Sequence, residues 1–495
     1  MTVFDYHALA PDFIVAATVL AVLGADLFLP EDRKWLSAVV GIVGLTAALI
    51  PIFTLAASND SVRSMMDGSY VVDDFALVLK AFFVLTGYVV LLMSVAYLEG
   101  DRYYQGEYYF LVIASLLGGM VMASSRDLVT LFVGLELVSG PAFLLAGWRK
   151  ADERSNEAAL KFFIIGVLSA AILLYGMSLV YGMTGSLSFD GIREASASVA
   201  EEPVFVLGIL LVLVGFGFKV SAVPFHFWAP DTYEGAPTPV TAYLSVGSKA
   251  AGFVGMLLVS YVAFAGAPDI WGPALWILAA LSMIVGNLIA LRQENIVRLL
   301  AYSSIAHAGF MLVPFAAAGL VEGDSLNVAF EATLSYVIIY GIMNLGAFAV
   351  VIAAARRTGS GRISDWAGLG SYAPGLSILL TLFFFSLAGI PPLAGWYAKF
   401  VMFLAVLQNA NGWTIVLAAI AAINAVVALY YYARVVQSVW MDPAPAEIAP
   451  DPDPRGVAPS LALAFGMLAV AVVLVGVYPD AIGRFAKAAS LIAGG

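Results

Sequence analysis

The chain has 495 residues, of which 62% are hydrophobic and 12% are charged, and its formal net charge is −11. Soluble domains carry about 25% charged residues, so this composition excludes an ordinary soluble protein and indicates a membrane protein. The absence of cysteine excludes disulfides, thiol catalysis and cysteine-ligated iron–sulfur clusters. No basic run indicates nucleic-acid binding. No basic segment precedes the first apolar stretch, which we therefore expect to be a retained span rather than a signal peptide.

Apolar segments follow one another along the whole chain. A helix that crosses the hydrocarbon core of a bilayer needs about 20 mostly apolar residues. The approximate limits of the segments are 12–30, 35–56, 75–98, 106–124, 127–148, 157–182, 203–228, 237–262, 270–291, 297–318, 326–355, 373–409, 413–440 and 457–478. The sequence therefore predicts an all-α polytopic membrane protein with about fourteen transmembrane helices.

The 23 lysines and arginines are unevenly distributed between the two sides of these segments. If the N-terminus faces outside, most of those in the connecting loops fall on the inner side, as the positive-inside rule requires. We therefore predict that both termini lie on the outer side of the membrane.

Five lysines lie inside apolar segments, whereas the arginines lie in the connecting loops or toward the ends of segments; the five are Lys80, Lys161, Lys219, Lys249 and Lys399. A desolvated lysine can lose its proton, while an arginine effectively cannot. The set therefore favours proton handling over static ion pairing. Lys80 is the exception, because it follows Asp73 and Asp74 by about two turns and is expected to snorkel outward. Lys161 lies near the end of its segment, where a structural and a functional role both stay open.

A carboxylate and a lysine lie near the centres of their segments. Glu136 is in LFVGLELVSG, and a charge at the bilayer centre costs at least ~2.5–3.5 kcal/mol. Lys249, in YLSVGSKAAGF, is too deep to reach the membrane surface. Both predict a functional site that faces protein or water, and a structural ion pair is the alternative.

Two segments are interrupted by proline, and each carries a lysine. GFKVSAVPFHFWAP contains Lys219 before Pro224, and GIPPLAGWYAKF contains Pro391 and Pro392 before Lys399. Proline removes a backbone hydrogen bond, and broken helices at membrane depth are typical of transporters built from repeats. A packing kink with an incidental lysine is the alternative.

The two histidines in these segments are candidate proton relays. His226 follows Pro224 by two residues, and His307 lies in YSSIAHAGF. Neutral histidine can pass protons because its ordinary pKa is ~6.5, although a membrane histidine can also be a hydrogen-bonded helix contact. In DTYEGAPTPV, Asp231 and Glu234 could form a proton entrance or a solvated loop.

Four stretches together resemble the antiporter-like membrane subunits of respiratory complex I. GFKVSAVPFHFWAPDTYEGAPTPV resembles their seventh helix, NIVRLLAYSSIAHAGFML their tenth, FVGLELVSG their fifth and GIPPLAGWYAKF their twelfth. The resemblance covers nearly the whole chain. Lys399, where another branch of the family has glutamate, and the short region after the last span favour the branch related to the second mitochondrial ND subunit.

The resemblance implies two inverted five-helix repeats, helices 4–8 and 9–13, each with a broken helix. The domains expected from it are N-terminal helices at 1–98, a first repeat at 106–262, a second repeat at 270–440, a Pro/Asp-rich linker on the inner side at 441–456, and a final helix with a tail at 457–495.

The resemblance also implies roles for the ionisable residues. Glu136 and Lys219 would be a coupled acid–lysine pair, Lys249 the central lysine and Lys399 the terminal proton site. The residues of the relay would be His226, His307 and Lys161, and the helix breaks would lie at Pro224, Pro391 and Pro392.

No cofactor is expected in this chain, because in this family FMN, iron–sulfur clusters and quinone belong to partner subunits. The expected partners are the other membrane subunits of complex I and the lipid bilayer of a bacterial cytoplasmic membrane. The alternatives are a cation/proton antiporter subunit of the multisubunit type, a membrane subunit of a related hydrogenase, and a purely structural anchor.

Overall fold

A computed structural model describes residues 5–58, 62–98, 106–319, 324–408, 410–445, 456–489 and 491. Most of the predicted linker, at 446–455, and the end of the predicted tail, at 492–495, lie outside these residues. The helices are α1 (Tyr6–Phe28), α2 (Trp35–Ala56), α3 (Asp74–Leu98), α4 (Glu107–Ser124), α5 (Leu128–Ala146), α6 (Glu153–Thr184), α7 (Phe189–Val199), α8 (Pro203–Lys219), α9 (Trp228–Gly235), α10 (Thr238–Tyr243), α11 (Lys249–Leu258), α12 (Pro268–Ala290), α13 (Ile296–Ala318), α14 (Asp324–Thr358), α15 (Leu369–Tyr372), α16 (Pro374–Ala388), α17 (Ala394–Leu407), α18 (Gly412–Met441), α19 (Pro459–Val477) and α20 (Asp480–Ala488). A short antiparallel hairpin, β1 (Arg63–Met65) and β2 (Tyr70–Val72), precedes α3.

The all-α polytopic architecture is confirmed. Within the described residues, 12 helices are long and apolar enough to cross a membrane. Helices suit this solvent because they satisfy every backbone polar group within one segment. All the predicted apolar segments coincide with helices, and the two that contribute no single long helix are 203–228 and 373–409. The number of fourteen crossings stays a prediction.

In both interrupted segments, the first helix ends one or two residues before a residue with a positive φ. The helix α8 ends at Lys219, Ser221 has a φ of 58°, and α9 starts only at Trp228. The helix α16 ends at Ala388, Gly389 has a φ of 92°, and α17 starts at Ala394. Pro224 lies inside the first interruption and the Pro391–Pro392 pair inside the second. Each break therefore exposes helix-end backbone groups beside a buried lysine.

The span between α9 and α12 is a helix with two wide turns that the sequence did not predict. The residues Leu244–Ser248 and Val259–Ala263 form π-helical turns on either side of α11. Single π turns within α-helices are frequent at functional sites. Lys249, the first residue of α11, directly follows the first wide turn.

The helix α13 is buried along almost its whole length among several helices, and it packs most closely against α12. A Cβ on Gly309 would lie 2.7 Å from the backbone nitrogen of Met283. A Cβ on Gly286 would lie 2.7 Å from the backbone nitrogen of Ala306. Small residues allow such close backbone approach between membrane helices. The pair of glycines therefore holds α12 against α13 on both sides of His307.

Candidate functional site

Lys219 contacts the helix that carries Glu136 through a serine. The lysine is the last residue of α8 and is buried, and its Nζ donates a hydrogen bond of 2.8 Å to Ser139 Oγ on α5. Glu136 lies one turn earlier on α5 and is half-buried. The charges of Glu136 and Lys219 act on each other, but no ion pair within 4.0 Å joins these two described residues. Ser139 Oγ in turn donates to the Leu135 carbonyl, at 2.7 Å.

The stem of Lys219 packs against the helix that begins with Lys249. A Cβ on Gly252 of α11 would lie 3.1 Å from both Cβ and Cγ of Lys219. Only a glycine allows this approach without displacement of the lysine stem. Because Gly252 follows Lys249 by three residues, the two lysines are carried by directly packed helices.

Lys249 is fully buried and is held by α13. Its Nζ donates to Ser304 Oγ at 2.6 Å and to the Ser304 carbonyl at 2.8 Å. The buried hydroxyls of Tyr233 and Tyr340 lie near Ser304, and neither has a hydrogen-bond partner among the described residues. Buried hydroxyls of this kind are natural partners for water. The surroundings of Lys249 are therefore polar and neutral, and no carboxylate of the described residues is bonded to the ammonium.

His307 lies one turn beyond Ser304 and connects three helices. Its Nδ1 is 3.0 Å from Tyr336 Oη of α14, and its Nε2 is 3.3 Å from Tyr432 Oη of α18. Tyr432 is also hydrogen-bonded to Ser303 of α13. The charges of Lys249 and Lys399 both act on this ring. His307 therefore lies between the two lysines within a hydroxyl-rich environment.

Lys399 is buried against the second helix break. Its Nζ donates to the Ala388 carbonyl at the end of α16, at 2.5 Å, and lies 5.3 Å from the centre of the Phe310 ring. A carbonyl at a helix C-terminus carries partial negative charge, and an aromatic face also attracts a cation. A Cβ on Gly389 would lie 2.8 Å from Lys399 Cδ. The break thus supplies both the acceptor and the space for the ammonium.

The helix α13 connects Lys249 to Lys399. Ser304, His307 and Phe310 follow one another at three-residue spacing, which places them along one side of the helix. Ser304 binds Lys249, and Phe310 contacts Lys399. At a rise of ~1.5 Å per residue, the stretch from Ser304 to Phe310 covers about 9 Å along the helix axis. The fold therefore brings the predicted His307, Lys249 and Lys399 together.

His226 is not brought into this arrangement by hydrogen bonding. It is buried in the break after α8, and its Nδ1 has no hydrogen-bond partner in the part of the chain that the structure describes. Its ring packs on Phe227, with the ring centres 4.6 Å apart. Among the described residues no hydrogen bond joins His226 to Lys219 or Lys249. Its place in a relay stays a prediction.

Lys161 belongs to a chain of ion pairs at one end of the helices. Its Nζ is 2.6 Å from Glu157 and 2.7 Å from Asp231, and Arg298 of α13 is 2.9 Å from Asp231 and 2.8 Å from Glu234. Partial burial by itself would raise the pKa of Asp231, but the hydrogen bonds from Lys161 and Arg298 outweigh it and lower that pKa. Asp231 and Glu234 therefore form ion pairs with Lys161 and Arg298. They do not form the simple solvated loop that the sequence left open.

The expectation that Lys80 snorkels outward is wrong. Its side chain is completely buried, and Nζ is 2.5 Å from Asp12 Oδ2 of α1 and 3.0 Å from Tyr70 Oη of β2. Asp12 is separated from Lys80 by 68 residues, so local spacing could not reveal the pair. Lys80 thus joins α1, α3 and the hairpin through a buried ion pair and a hydrogen bond, instead of extending toward the membrane surface.

Sequence reasoning missed the hydroxyl groups that hold the lysines. Ser139 lies three residues after Glu136 and Ser304 three before His307, so helical spacing alone could have drawn attention to both. Tyr432 gave no such signal, because it meets His307 across 125 residues of chain. Within the described part of the chain, no group of three His, Cys, Asp or Glu side chains could hold a metal ion.

The sequence and structure are similar to known proteins over nearly their whole length. Residues 125–424 match the family described as NADH:quinone oxidoreductase/Mrp antiporter, TM. NADH-quinone oxidoreductase subunit N 2 of Streptomyces griseus subsp. griseus is 41% identical, with 98% of this chain and 93% of that protein covered. NADH-quinone oxidoreductase subunit N of Trichlorobacter lovleyi is 40% identical, with 98% and 97% covered.

A solved structure agrees with these relatives. A chain of respiratory complex I from Thermus thermophilus is 31% identical and superposes with a TM-score of 0.78, over 96% of this chain and 99% of that chain. The resemblance carried by the four quoted stretches is thereby confirmed. The chain belongs to the NADH:quinone oxidoreductase/Mrp antiporter family of membrane proteins, and within it to the subunit N group of NADH-quinone oxidoreductase.

Proposed function

We propose that the chain is a proton-translocating subunit in the membrane arm of NADH–quinone oxidoreductase. NADH oxidation and quinone reduction take place in partner subunits, which carry FMN and the iron–sulfur clusters, and this chain has no redox centre of its own. It lies in a bacterial cytoplasmic membrane with both termini on the outer side. Its two halves, 106–262 and 270–440, act as inverted repeats that each contribute a broken helix.

The observation that carries the proposal is the row of three buried lysines. Lys219, Lys249 and Lys399 are 4%, 2% and 7% exposed, and none has a carboxylate within ion-pairing distance among the described residues. A buried charge without a partner is costly, whereas a lysine can lose its proton. Such residues suit proton storage and transfer better than structural pairing.

The first step of the proposed mechanism is a switch at Lys219. A negative Glu136 stabilises the proton on Lys219, because opposite charges attract strongly in a buried environment. When the carboxylate moves away, the proton on a buried lysine loses that stabilisation and passes on. Electron transfer in the partner subunits drives this movement.

The later steps follow α13. The proton passes through water from Lys219 to Lys249, with His226 beside the break. It then moves along Ser304 and His307 to Lys399, from which it leaves. Hydroxyl and imidazole groups can each accept and release a proton, and these sites titrate as a coupled set. Lys161 and its ion pairs border the entrance.

The proposal is tested with the assembled complex in proteoliposomes. NADH oxidation and the number of protons moved per NADH are measured for Lys219→Met and for the control Lys150→Met, whose lysine is exposed outside the spans. Lys219→Met is expected to assemble and to move fewer protons per NADH, with the control unchanged. An assembled Lys219→Met complex with full stoichiometry would contradict the proposal. Sodium-driven proton exchange without NADH would instead favour the antiporter alternative.

A further inference from the structure

A buried pair of asparagines joins α12 to α18. Asn287 of α12 donates from its Nδ2 to Asn424 Oδ1 of α18, at 3.1 Å. Asn424 donates from its own Nδ2 to the Ile420 carbonyl, at 2.9 Å. A carbonyl oxygen can only accept a hydrogen bond, so this contact fixes the orientation of the Asn424 amide. The Asn424 oxygen then faces Asn287, which fixes the orientation of the second amide as well.

The oriented amide of Asn287 determines where the Tyr431 hydroxyl points. Asn287 Oδ1 accepts a hydrogen bond from Tyr431 Oη of α18, at 3.1 Å. A tyrosine hydroxyl has a single hydrogen, so the Tyr431 oxygen can only accept from its other neighbours. Those neighbours are the hydroxyls of Tyr432 and Ser303, which lie beside it. The direction set by a backbone carbonyl therefore reaches Tyr431 through the two asparagines.

A count of hydrogens then decides which nitrogen of His307 is protonated. The hydroxyls of Tyr432 and Ser303 supply one hydrogen each. One of these lies in the bond between the two hydroxyls, and the other is directed to the Tyr431 oxygen. None remains for His307 Nε2, which is 3.3 Å from the Tyr432 oxygen. Nε2 is therefore the donor in that contact and carries the hydrogen.

The other nitrogen of the ring is left as an acceptor. In a neutral imidazole one nitrogen donates and the other accepts, so His307 Nδ1 accepts from Tyr336 Oη of α14, at 3.0 Å. Tyr340 lies one turn further along α14 and is near Ser304, which binds Lys249. The unprotonated nitrogen therefore faces the side of the ring on which the proposed relay brings a proton from Lys249.

We infer that Asn287 and Asn424 are positioning residues, which hold His307 with its hydrogen on Nε2 and keep Nδ1 free to take up a proton. The consequence for the relay rests on the proposed function, whereas the position of the hydrogen does not. Which ring nitrogen is protonated is set by the hydrogen bond at the other. Amide groups do not titrate, so the pair orients the ring without carrying protons itself.

The position of the hydrogen is measured by solid-state NMR on the full-length chain in lipid nanodiscs, with ¹³C- and ¹⁵N-labelled histidine. The chain has 3 histidines, and the signal that is lost in His307→Gln identifies His307. At a pH well above the ordinary pKa of histidine, the ring shifts distinguish a hydrogen on Nε2 from one on Nδ1. We expect Nε2 to be protonated in the parent. A hydrogen on Nδ1 would overturn the assignment.

Two variants remove the constraint in different ways. Asn287→Leu takes away the acceptor of Tyr431, and Tyr431→Phe takes away the hydroxyl itself. Each frees one hydrogen for His307 Nε2, so the hydrogen of the ring should move to Nδ1 in both. Tyr431→Phe keeps the shape of the side chain, so it decides the question even if Asn287→Leu does not fold. A hydrogen that stayed on Nε2 in Tyr431→Phe would contradict the inference.

Two controls should leave the hydrogen on Nε2. Asn287→Asp keeps an oxygen that accepts from Tyr431, whether or not the new carboxyl is ionised. Trp276→Phe removes a different hydrogen bond between α12 and α18, from Trp276 Nε1 to the Trp413 carbonyl at 3.0 Å. A move to Nδ1 in Trp276→Phe would mean that helix packing, rather than the direction of the hydrogen bonds, sets the position of the hydrogen.

Proton translocation by the assembled complexes tests the consequence. A positioned proton carrier contributes ~10²–10⁴-fold to proton transfer, so Asn287→Leu and Tyr431→Phe should slow coupled translocation about tenfold or more. Trp276→Phe should translocate protons as the parent does. Full translocation in a variant whose hydrogen lies on Nδ1 would overturn the positioning role. The proposed function would still stand in that case, because Lys219→Met decides it separately.

Discussion

Lys219 Nζ donates a hydrogen bond of 2.8 Å to Ser139 Oγ. Ser139 lies one turn of α5 after Glu136, whose charge acts on Lys219. Residues three apart on a helix lie side by side, with ~5–6 Å between their Cβ atoms. The ammonium can therefore move between the Ser139 hydroxyl and the Glu136 carboxylate by a change of side-chain rotamer. In the proposed switch, the serine gives a resting position to a lysine that has left the acid.

The Ser139→Ala variant tests this resting position. A hydrogen bond to a charged group contributes about 1.5–3 kcal/mol, so its loss should keep Lys219 close to Glu136 and slow proton release. We expect coupled turnover to fall about tenfold, since ~1.4 kcal/mol corresponds to that factor. The Ser139→Thr variant keeps the hydroxyl and should translocate protons nearly as the parent does. Equal proton translocation by Ala and Thr variants in proteoliposomes would show that the hydroxyl is dispensable.

Substitution of Lys249 separates charge from proton exchange. Arginine keeps the positive charge beside Ser304 but effectively never releases its proton. Lys249→Arg should therefore assemble and lose proton translocation as fully as Lys249→Met does. The measurement is protons moved per NADH, with assembly checked on native gels. If Lys249→Arg pumped normally, the lysine would serve only as a fixed charge.

The buried pair of Lys80 and Asp12 should matter for stability rather than for pumping. Removal of one partner from a buried ion pair costs about 3–5 kcal/mol, whereas apolar replacement of both is often neutral. Lys80→Met should therefore lower the yield of assembled complex, and the double variant with Asp12→Leu should recover much of it. The complex that does assemble should move protons normally. A pumping defect in that fraction would assign Lys80 to the proton path.

The left-handed turn at Gly389 should be sensitive to a single methyl group. An alanine there would adopt a φ of 92° and bring its Cβ to 2.8 Å from Lys399 Cδ. Strain of this kind costs about 1–3 kcal/mol, and the lysine would also be displaced from the Ala388 carbonyl. Gly389→Ala should reduce both thermal stability and proton translocation.

Gly359 provides the matched control for that change. Its φ is 69°, and a Cβ there meets nothing within 4 Å. Gly359→Ala should lower thermal stability without a change in protons moved per NADH. Normal proton translocation in an assembled Gly389→Ala complex would mean that the position of Lys399 tolerates the shift.

The ion pairs of Asp231 should give a pH-dependent contribution to stability. The pKa of this carboxyl is lowered by Lys161 and Arg298, so its contribution is present above the ordinary pKa of an aspartate and is lost as the pH falls through the lowered value. The groups are partly exposed, so each pair contributes at most about 1 kcal/mol.

Thermal unfolding of the Asp231→Asn complex measures this contribution. The midpoint should lie slightly below that of the parent at pH 7, and the difference should shrink once the carboxyl is protonated in acid. Asp190→Asn, which alters an exposed pair within one helix, serves as the control. A difference that stays constant down to acidic pH would exclude an ionic origin.

The sequence by itself determined the class of the fold and the residues with unusual chemistry. A 62% hydrophobic chain with a lysine inside each proline-interrupted segment predicts membrane helices and buried proton sites, because composition and local spacing are properties of the chain itself. The resemblance then predicted the family, which the comparisons confirmed. Glu136, Lys219, Lys249 and Lys399 needed no tertiary information to be selected.

The tertiary structure alone decided which groups hold those residues. Ser304 meets Lys249 across 55 residues of chain, and Tyr432 meets His307 across 125. Lys80 was misjudged because its partner, Asp12, lies two helices away in the sequence and directly beside it in space. A hydrogen bond or ion pair between helices requires its two polar atoms to lie about 3 Å apart. Apolar periodicity predicts the helices but not which of their faces meet, so only their packing could reveal these contacts.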